Sequence, residues 1–162
     1  MATARGRAWV GPVALVLALG LSAQPLPAWL APARPDWVAL ILIYLGIHTP
    51  QRFVLAQAVV AGLLLDALHG TPLGQYALAL VVCCYLPLKL HLRLMLVPIW
   101  QTMLSTALFT ALYQFVLFWC NGATGNNVGA AYYLWPLASN VVAWPILLTM
   151  IDRARLGRAR AD

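Results

Sequence analysis

Long apolar runs, separated by short polar or proline-rich segments, make up most of this chain of 162 residues. A helix of about 20 apolar residues crosses the hydrocarbon core of a bilayer, and spans of about 17 residues occur. The chain is 63% hydrophobic and only 9% charged, whereas soluble domains carry roughly 25% charged residues. The pattern therefore predicts an all-α, polytopic membrane protein with a single transmembrane domain.

The runs predict a bundle of six transmembrane helices, with the second unusually short. Pro50 and Arg52 argue against joining the second and third runs into one long helix, and a proline-rich stretch separates the first two runs. The predicted helices have the approximate bounds 9–24, 36–48, 53–69, 72–88, 98–120 and 132–152, followed by a basic cytoplasmic tail at 153–162.

The basic residues are placed asymmetrically about these six crossings. Short cytoplasmic loops carry an excess of lysine and arginine. With both termini in the cytoplasm, only Arg34 lies outside, and the inside holds Arg5, Arg7, Arg52, Lys89, Arg93, Arg153, Arg155, Arg158 and Arg160. If the second and third runs did not each cross, some of these residues would lie on the wrong side. The charge pattern therefore predicts a multi-pass membrane protein with both termini in the cytoplasm.

The first run has an alternative interpretation as a cleaved signal peptide, because Arg5 and Arg7 precede it and Leu21-Ser22-Ala23 ends it. Cleavage would leave five helices, with the C-terminus still inside. The net charge of +6 fits cytoplasmic anchoring and attraction to anionic lipids. We therefore predict contact with the lipid bilayer and none with nucleic acid.

Catalysis finds little support in the chain. A membrane hydrolase needs a nucleophile with a base at the same depth, but the runs that hold Ser105, Thr106 and Ser139 contain no histidine or acidic residue. There is no glutamate, and Cys83, Cys84 and Cys120 form no metal-ligand pattern. We predict no enzymatic activity, no cofactor and no metal.

Asp66 is the acidic residue that lies within an apolar run, and ionisable residues in the membrane are candidates for function. It stands four residues before Gly70, about one helical turn from the outer interface. There it could accept hydrogen bonds from amides around Leu73 and Gly74. We expect a structural brace for the turn; the alternatives are a polar site for a partner and a proton or solute relay.

The residues that follow Asp66 predict a tight turn between two helices. Gly70 suits the end of a helix, Thr71 suits an N-cap, and Pro72 suits the first position of the next helix. Gly62 stands four residues before Asp66 on the same helix face, so it would let a neighbouring helix come close.

The last run also has a face that packs on protein. Asn140 lies in mid-run and needs an interhelical hydrogen-bond partner. Pro145 frees a backbone carbonyl near Val141. Both features favour contact with neighbouring helices over contact with lipid.

Four segments together resemble one family. They are Arg34-Pro35-Asp36-Trp37, Gly62-x-x-x-Asp66 followed by Gly70-x-x-Leu73-Gly74, Trp100-Gln101, and Asn140-x-x-x-Trp144-Pro145 before a basic tail. In this order and at this chain length, the sequence resembles the bacterial rod shape-determining protein MreD family, roughly from Ala8 to Arg155.

The resemblance implies a non-enzymatic inner-membrane subunit of the cell-elongation complex, which maintains rod shape and lateral peptidoglycan synthesis. It implies binding to MreC and, through the complex, to MreB, RodA and RodA's partner transpeptidase. It also implies a fold similar to the six-helix substrate-capture subunits of vitamin (energy-coupling factor) transporters. The residues it marks as partner-binding or structural are Asp66, Gly62, Gly70, Gly74, Asn140, Trp144, Pro145, Arg34 and Trp37.

That shared fold leaves a solute-binding membrane transport subunit as the alternative function. A solute site needs polar groups from several helices near one depth. The chain offers few, and they are spread in depth: Gln57, Gln75, Gln101, Gln114, Asn140 and Asp66. This scarcity favours the scaffold.

Overall fold

The computed structural model describes residues 10–24, 34–48, 53–125, 129 and 131–159. The regular elements among these residues are all α-helices. In chain order they are α1 (Val10–Ala23), α2 (Trp37–His48), α3 (Phe53–His69), α4 (Gln75–Leu94), α5 (Ile99–Ala123) and α6 (Ala131–Ala159). The prediction of an all-α chain with six helices is confirmed for the part of the chain that the structure describes.

The short helix α2 forms the centre of the bundle. It contacts all five of the other helices, and every residue from Val38 to Ile47 is buried. A helix that is apolar on all sides is stable only when neighbours surround it, which explains its composition. Its 12 residues span about 18 Å, less than the thickness of a hydrocarbon core of about 30 Å.

Helices α4, α5 and α6 are longer than the sequence predicts, and α4 and α6 differ most. Helix α4 begins at Gln75 instead of residue 72 and continues to Leu94 instead of residue 88. It passes through Pro87, which packs against α2 at Gly46. A Cβ atom added to Gly46 would lie 3.3 Å from the Pro87 Cβ. Packing of this kind stabilises a helix that contains proline. Helix α6 runs to Ala159, so most of the predicted tail is helical.

Helix α5 has its polar side chains on the inside. Thr106 and Thr110 are fully buried, and each hydroxyl donates to the carbonyl four residues earlier at 2.9 Å. The opposite face exposes large apolar side chains, among them Leu104 and Leu108. A helix in water shows the reverse arrangement, whereas a membrane bundle places polar groups between its helices.

Two of the helices are long and apolar enough to cross a membrane on their own, namely α4 and the segment 100–123 of α5. The apolar parts of the other four described helices are 10–17 residues long. Length alone therefore supports membrane insertion most directly for α4 and α5.

Candidate functional site

The candidate site lies at one end of the bundle, where α1 and α3 end and α2 and α4 begin. Asp36 and Asp66 both lie at this end, which we call the acidic end. Side chains from α1 and from α3, α4 and α5 meet Asp36 around one cavity there.

Asp66 is fully buried and joins the end of α3 to the start of α4. Its Oδ1 accepts hydrogen bonds from the Thr71 hydroxyl at 3.0 Å and the Tyr76 amide at 2.9 Å, and its Oδ2 accepts one from the Gly74 amide at 2.8 Å. Charge-assisted bonds of this kind are stronger than neutral ones. The predicted acceptance of a hydrogen bond at Gly74 is confirmed, and a role in partner binding stays a prediction.

The turn itself differs from its predicted form. Gly70 ends α3 with a φ of +64°, as expected for a helix C-terminus. Thr71 and Pro72 do not start the next helix, because Thr71 donates from both its amide and its hydroxyl to Asp66. The helix begins only after Gly74, whose φ of +102° favours glycine.

Gly62 allows the closest contact between α3 and α4. A Cβ at Gly62 would lie 2.5 Å from the Ala77 amide nitrogen and still closer to the Ala77 Cα. Real Cβ atoms do not approach backbone so closely, so any side chain here would push the helices apart. The predicted close approach of a neighbouring helix at Gly62 is confirmed.

Asn140 finds its hydrogen-bond partner at Asp36, just before α2. Asn140 Nδ2 donates to Asp36 Oδ2 at 3.0 Å, and the Asp36 amide donates to Asn140 Oδ1 at 2.7 Å. Gln114 of α5 donates to the same carboxylate oxygen at 2.6 Å. This cluster, Asp36–Gln114–Asn140, fixes α2 to α5 and α6, and it confirms that Asn140 packs on protein.

Asp36 and Gln114 are not among the site residues predicted from the sequence. Asp36 is 104 positions from Asn140 and 78 from Gln114, so no local spacing links them. The signal that could have found Asp36 is the segment Arg34-Pro35-Asp36-Trp37, which provided Arg34 and Trp37 as predicted site residues.

A second set of side-chain hydrogen bonds connects α4 to α5 and α6. Gln75 Nε2 donates to Asn121 Oδ1 at 3.0 Å, and Asn121 Nδ2 donates to the Tyr133 hydroxyl at 2.9 Å. The other site residues predicted from the sequence lie elsewhere in the bundle. Trp144 is fully buried, and Pro145 and Trp37 are half-buried. The structure therefore places Asn140, Asp66 and Trp144 inside the bundle, where they contact this chain's own helices.

A cavity of about 60 Å³ opens at the acidic end. The Arg34 guanidinium is half-buried beside it and donates to the Leu21 carbonyl of α1 at 2.5 Å. His69 stacks on Tyr76, with ring centroids 5.1 Å apart. The polar side chains that line the cavity are Ser22, Arg34, Asp36, His69, Tyr76 and Tyr113.

The described residues hold no group of three or more potential metal ligands. At the acidic end, Asp66 and Asp36 accept hydrogen bonds from the chain's own amides and hydroxyl. This arrangement fixes helices in place and offers a small polar cavity to the surroundings.

An all-helical bundle with polar interior contacts and an apolar surface belongs to the class of helical membrane proteins. The family model for the rod shape-determining protein MreD matches residues 5–153, and the chain belongs to this family. It is similar to the rod shape-determining protein MreD of Haemophilus influenzae, with 24% identity over 144 residues that cover 86% of each chain. No solved structure matches the chain.

Proposed function

We propose that this chain is a non-enzymatic inner-membrane subunit of the cell-elongation complex that binds MreC and so supports rod shape and lateral peptidoglycan synthesis. MreB, RodA and its partner transpeptidase would associate through the complex. The observation that carries this proposal, beyond family membership, is that the buried polar groups hold the bundle together while the exposed helix faces are apolar. Such a surface suits a protein that holds another membrane protein.

The turn at the acidic end is the contact that we propose for MreC. Leu73 lies at its tip with 80% of its surface exposed, and the bonds from Thr71, Gly74 and Tyr76 to Asp66 fix the backbone on both sides of it. Asp66 and the three glycines at 62, 70 and 74 would thus act on the partner by shaping this turn. Arg34, Trp37, Asn140, Trp144 and Pro145 would act in the same indirect way, by positioning the helices.

We also propose six crossings with both termini in the cytoplasm, so that the acidic end faces outward. Two exposed tryptophans on α5 support a spanning orientation. Trp100 and Trp119 are 19 residues apart, about 28 Å along a helix, which matches a hydrocarbon core of about 30 Å. Tryptophan is enriched at both membrane interfaces.

The cysteines provide a test of this orientation. Cys83 and Cys84 are buried, and Cys120, near the acidic end of α5, is partly exposed. A membrane-impermeant maleimide should therefore label intact spheroplasts at Cys120, and the Cys120→Ser variant should lose that labelling. As a control, Met95→Cys in the Cys120→Ser background places an exposed thiol at the opposite end, and it should react only after permeabilisation. Labelling of Met95→Cys from outside, with none at Cys120, would reverse the proposed topology.

Complementation tests the function itself. Depletion of the protein in a rod-shaped host should make the cells round, and the wild-type chain should restore rods. We expect Leu73→Glu to reduce recovery of MreC by pull-down about tenfold, as for the loss of one interface anchor, and to leave the cells round. The matched control is Leu96→Glu, because Leu96 is 88% exposed in the α4–α5 turn at the other end.

Two outcomes would contradict the proposal. If Leu73→Glu is present at the wild-type level and still recovers MreC fully, the turn is not the contact. If depleted cells keep their shape but require a nutrient, the chain is a solute-binding transport subunit.

The family resemblance also carries the proposal that the helices are arranged as in vitamin-transporter capture subunits, which an experimental structure would test.

A further inference from the structure

The cavity at the acidic end combines one positive and one negative side chain. In the described part of the chain, Asp36 accepts its side-chain hydrogen bonds from the amides of Gln114 and Asn140, which are neutral. These donors therefore do not cancel the charge of an ionised Asp36 carboxylate, which lines the cavity. The bond from Arg34 to Leu21 engages one of the five N–H donors of a guanidinium, so Arg34 can still meet an anion. A ligand that carries both charges complements this pair.

The lining also suits an ammonium group. The ring of Tyr113, which lines the cavity, can contact a cation through its face. His69 Nδ1 lies 2.9 Å from the Leu65 carbonyl, which can only accept, so Nδ1 carries the hydrogen of this contact. The volume of about 60 Å³ holds roughly four water-sized groups. That is room for an ammonium and two methylenes.

The same seam of the bundle carries an apolar groove. The cavity lies between Ser22 of α1 and Leu65 and His69 of α3. Further along these two helices, a groove of about 290 Å³ is lined by Leu15, Phe53, Ala56, Gln57 and Val60. Leu15 is seven residues before Ser22, about 10 Å along the helix. An acyl chain about as long as half the bilayer reaches from the cavity into this groove.

We propose that an aminophospholipid binds on the α1–α3 seam, with its ammonium at Asp36, its phosphate at Arg34 and an acyl chain in the groove. The lipid headgroup is favoured over a free amine or a basic side chain because the cavity pairs both charges and an apolar groove lies further along the same two helices. The inference rests on the proposed membrane orientation, since the cavity lies at helix ends, where headgroups are found. It concerns a lipid ligand and leaves the binding of MreC as a separate question.

Native mass spectrometry of the purified full chain, titrated with single lipids in detergent, tests this proposal. The probes are phosphatidylethanolamine, phosphatidylcholine and phosphatidylglycerol with identical acyl chains. We expect phosphatidylethanolamine to bind about tenfold more tightly than the other two, since the quaternary amine has no N–H donor and glycerol has no charge. Equal binding of all three lipids would overturn the proposal.

Three variants separate the headgroup from the chain. Asp36→Asn should remove most of the preference for phosphatidylethanolamine, because the ammonium with its N–H donors is the group that distinguishes this lipid. Arg34→Gln should weaken the binding of all three lipids about tenfold, because all three carry the phosphate that Arg34 would meet. Arg34 lies at the surface of the bundle, so its variant stays informative if Asp36→Asn misfolds, and Arg93→Gln at the opposite end is its control. Ala56→Phe fills the groove and should weaken the binding of all three lipids alike. Val142→Phe, at an exposed position of α6, should not.

The remaining outcomes also decide the question. If folded Asp36→Asn keeps the full preference, or if folded Arg34→Gln binds all three lipids as tightly as the wild type, the cavity does not recognise the headgroup. If no lipid is preferred but recovery of MreC depends on Asp36, a basic side chain of the partner supplies the ammonium, and the lipid proposal is wrong. If the lipid binds as expected while the chain fails to restore rod shape, the proposed function fails and the lipid site stands.

Discussion

Replacement of Gly62 by valine is expected to separate α3 from α4 and to leave little folded protein after mild heating. A Cβ at this position overlaps the Ala77 backbone, with 2.5 Å to the amide nitrogen, and backbone cannot rotate away as a side chain can. Overpacking typically costs about 1–3 kcal/mol, and we expect about 2 kcal/mol for Gly62→Ala and at least about 3 kcal/mol for Gly62→Val. The measurement is monodisperse protein by size-exclusion chromatography after heating in detergent.

A second glycine tests whether the loss of stability comes from the contact at Gly62 or from glycine replacement in general. Gly20 lies in α1 with no atom within 4 Å of the position that a Cβ would take. Gly20→Ala should be neutral or stabilising by up to about 1 kcal/mol, because alanine favours a helix over glycine. If Gly62→Ala raised stability as Gly20→Ala does, the close approach of α3 and α4 would be wrong.

Apolar runs, the residues that interrupt them and the placement of the basic residues predicted most of the fold. Six runs gave six helices, and the run from Trp37 to Ile47, apolar on every side, is the helix that neighbours surround. Gly62 and Asp66 could be predicted as structurally important from the sequence. A glycine within an apolar helix suggests a close contact with another helix, and an acidic residue there needs nearby hydrogen-bond donors. In both cases the reason lies within about 15 residues along the chain, at Ala77 and at Gly74.

Contacts between distant parts of the chain could not be predicted. Asn140 in mid-run showed that a partner was needed, but nothing in one sequence identified Asp36, 104 residues away. The threonines of α5 satisfy their hydroxyls within their own helix, so no unsatisfied group drew attention to them. The start of α4 was misplaced because the Asp66 side chain accepts hydrogen bonds from the Thr71 hydroxyl and from the Gly74 and Tyr76 amides, which holds residues 71–74 in a turn.

Asp66→Ala is expected to be the most destabilising single change at the acidic end. It leaves the Gly74 and Tyr76 amides and the Thr71 hydroxyl without their acceptor. Hydrogen bonds to charged groups contribute about 1.5–3 kcal/mol each. Because bonds that share one acceptor are not additive, we expect a total loss of about 4 kcal/mol, in the range that marks a broken buried network. Thermal unfolding in detergent measures it.

A graded series tests whether Asp66 acts as a brace. Asp66→Asn keeps one acceptor oxygen and should cost about half as much as alanine, and Thr71→Val, which removes one donor, should cost about 1 kcal/mol. Thr124→Ala is the control, because its hydroxyl bonds are local and exposed, and it should change stability by less than about 0.5 kcal/mol. The same variants link the brace to the partner, since the Leu73 turn is fixed only while Asp66 holds its donors. Recovery of MreC should therefore fall in the order of lost stability, and an Asp66→Ala protein that keeps the wild-type level and still recovers MreC would show that the partner does not depend on this turn.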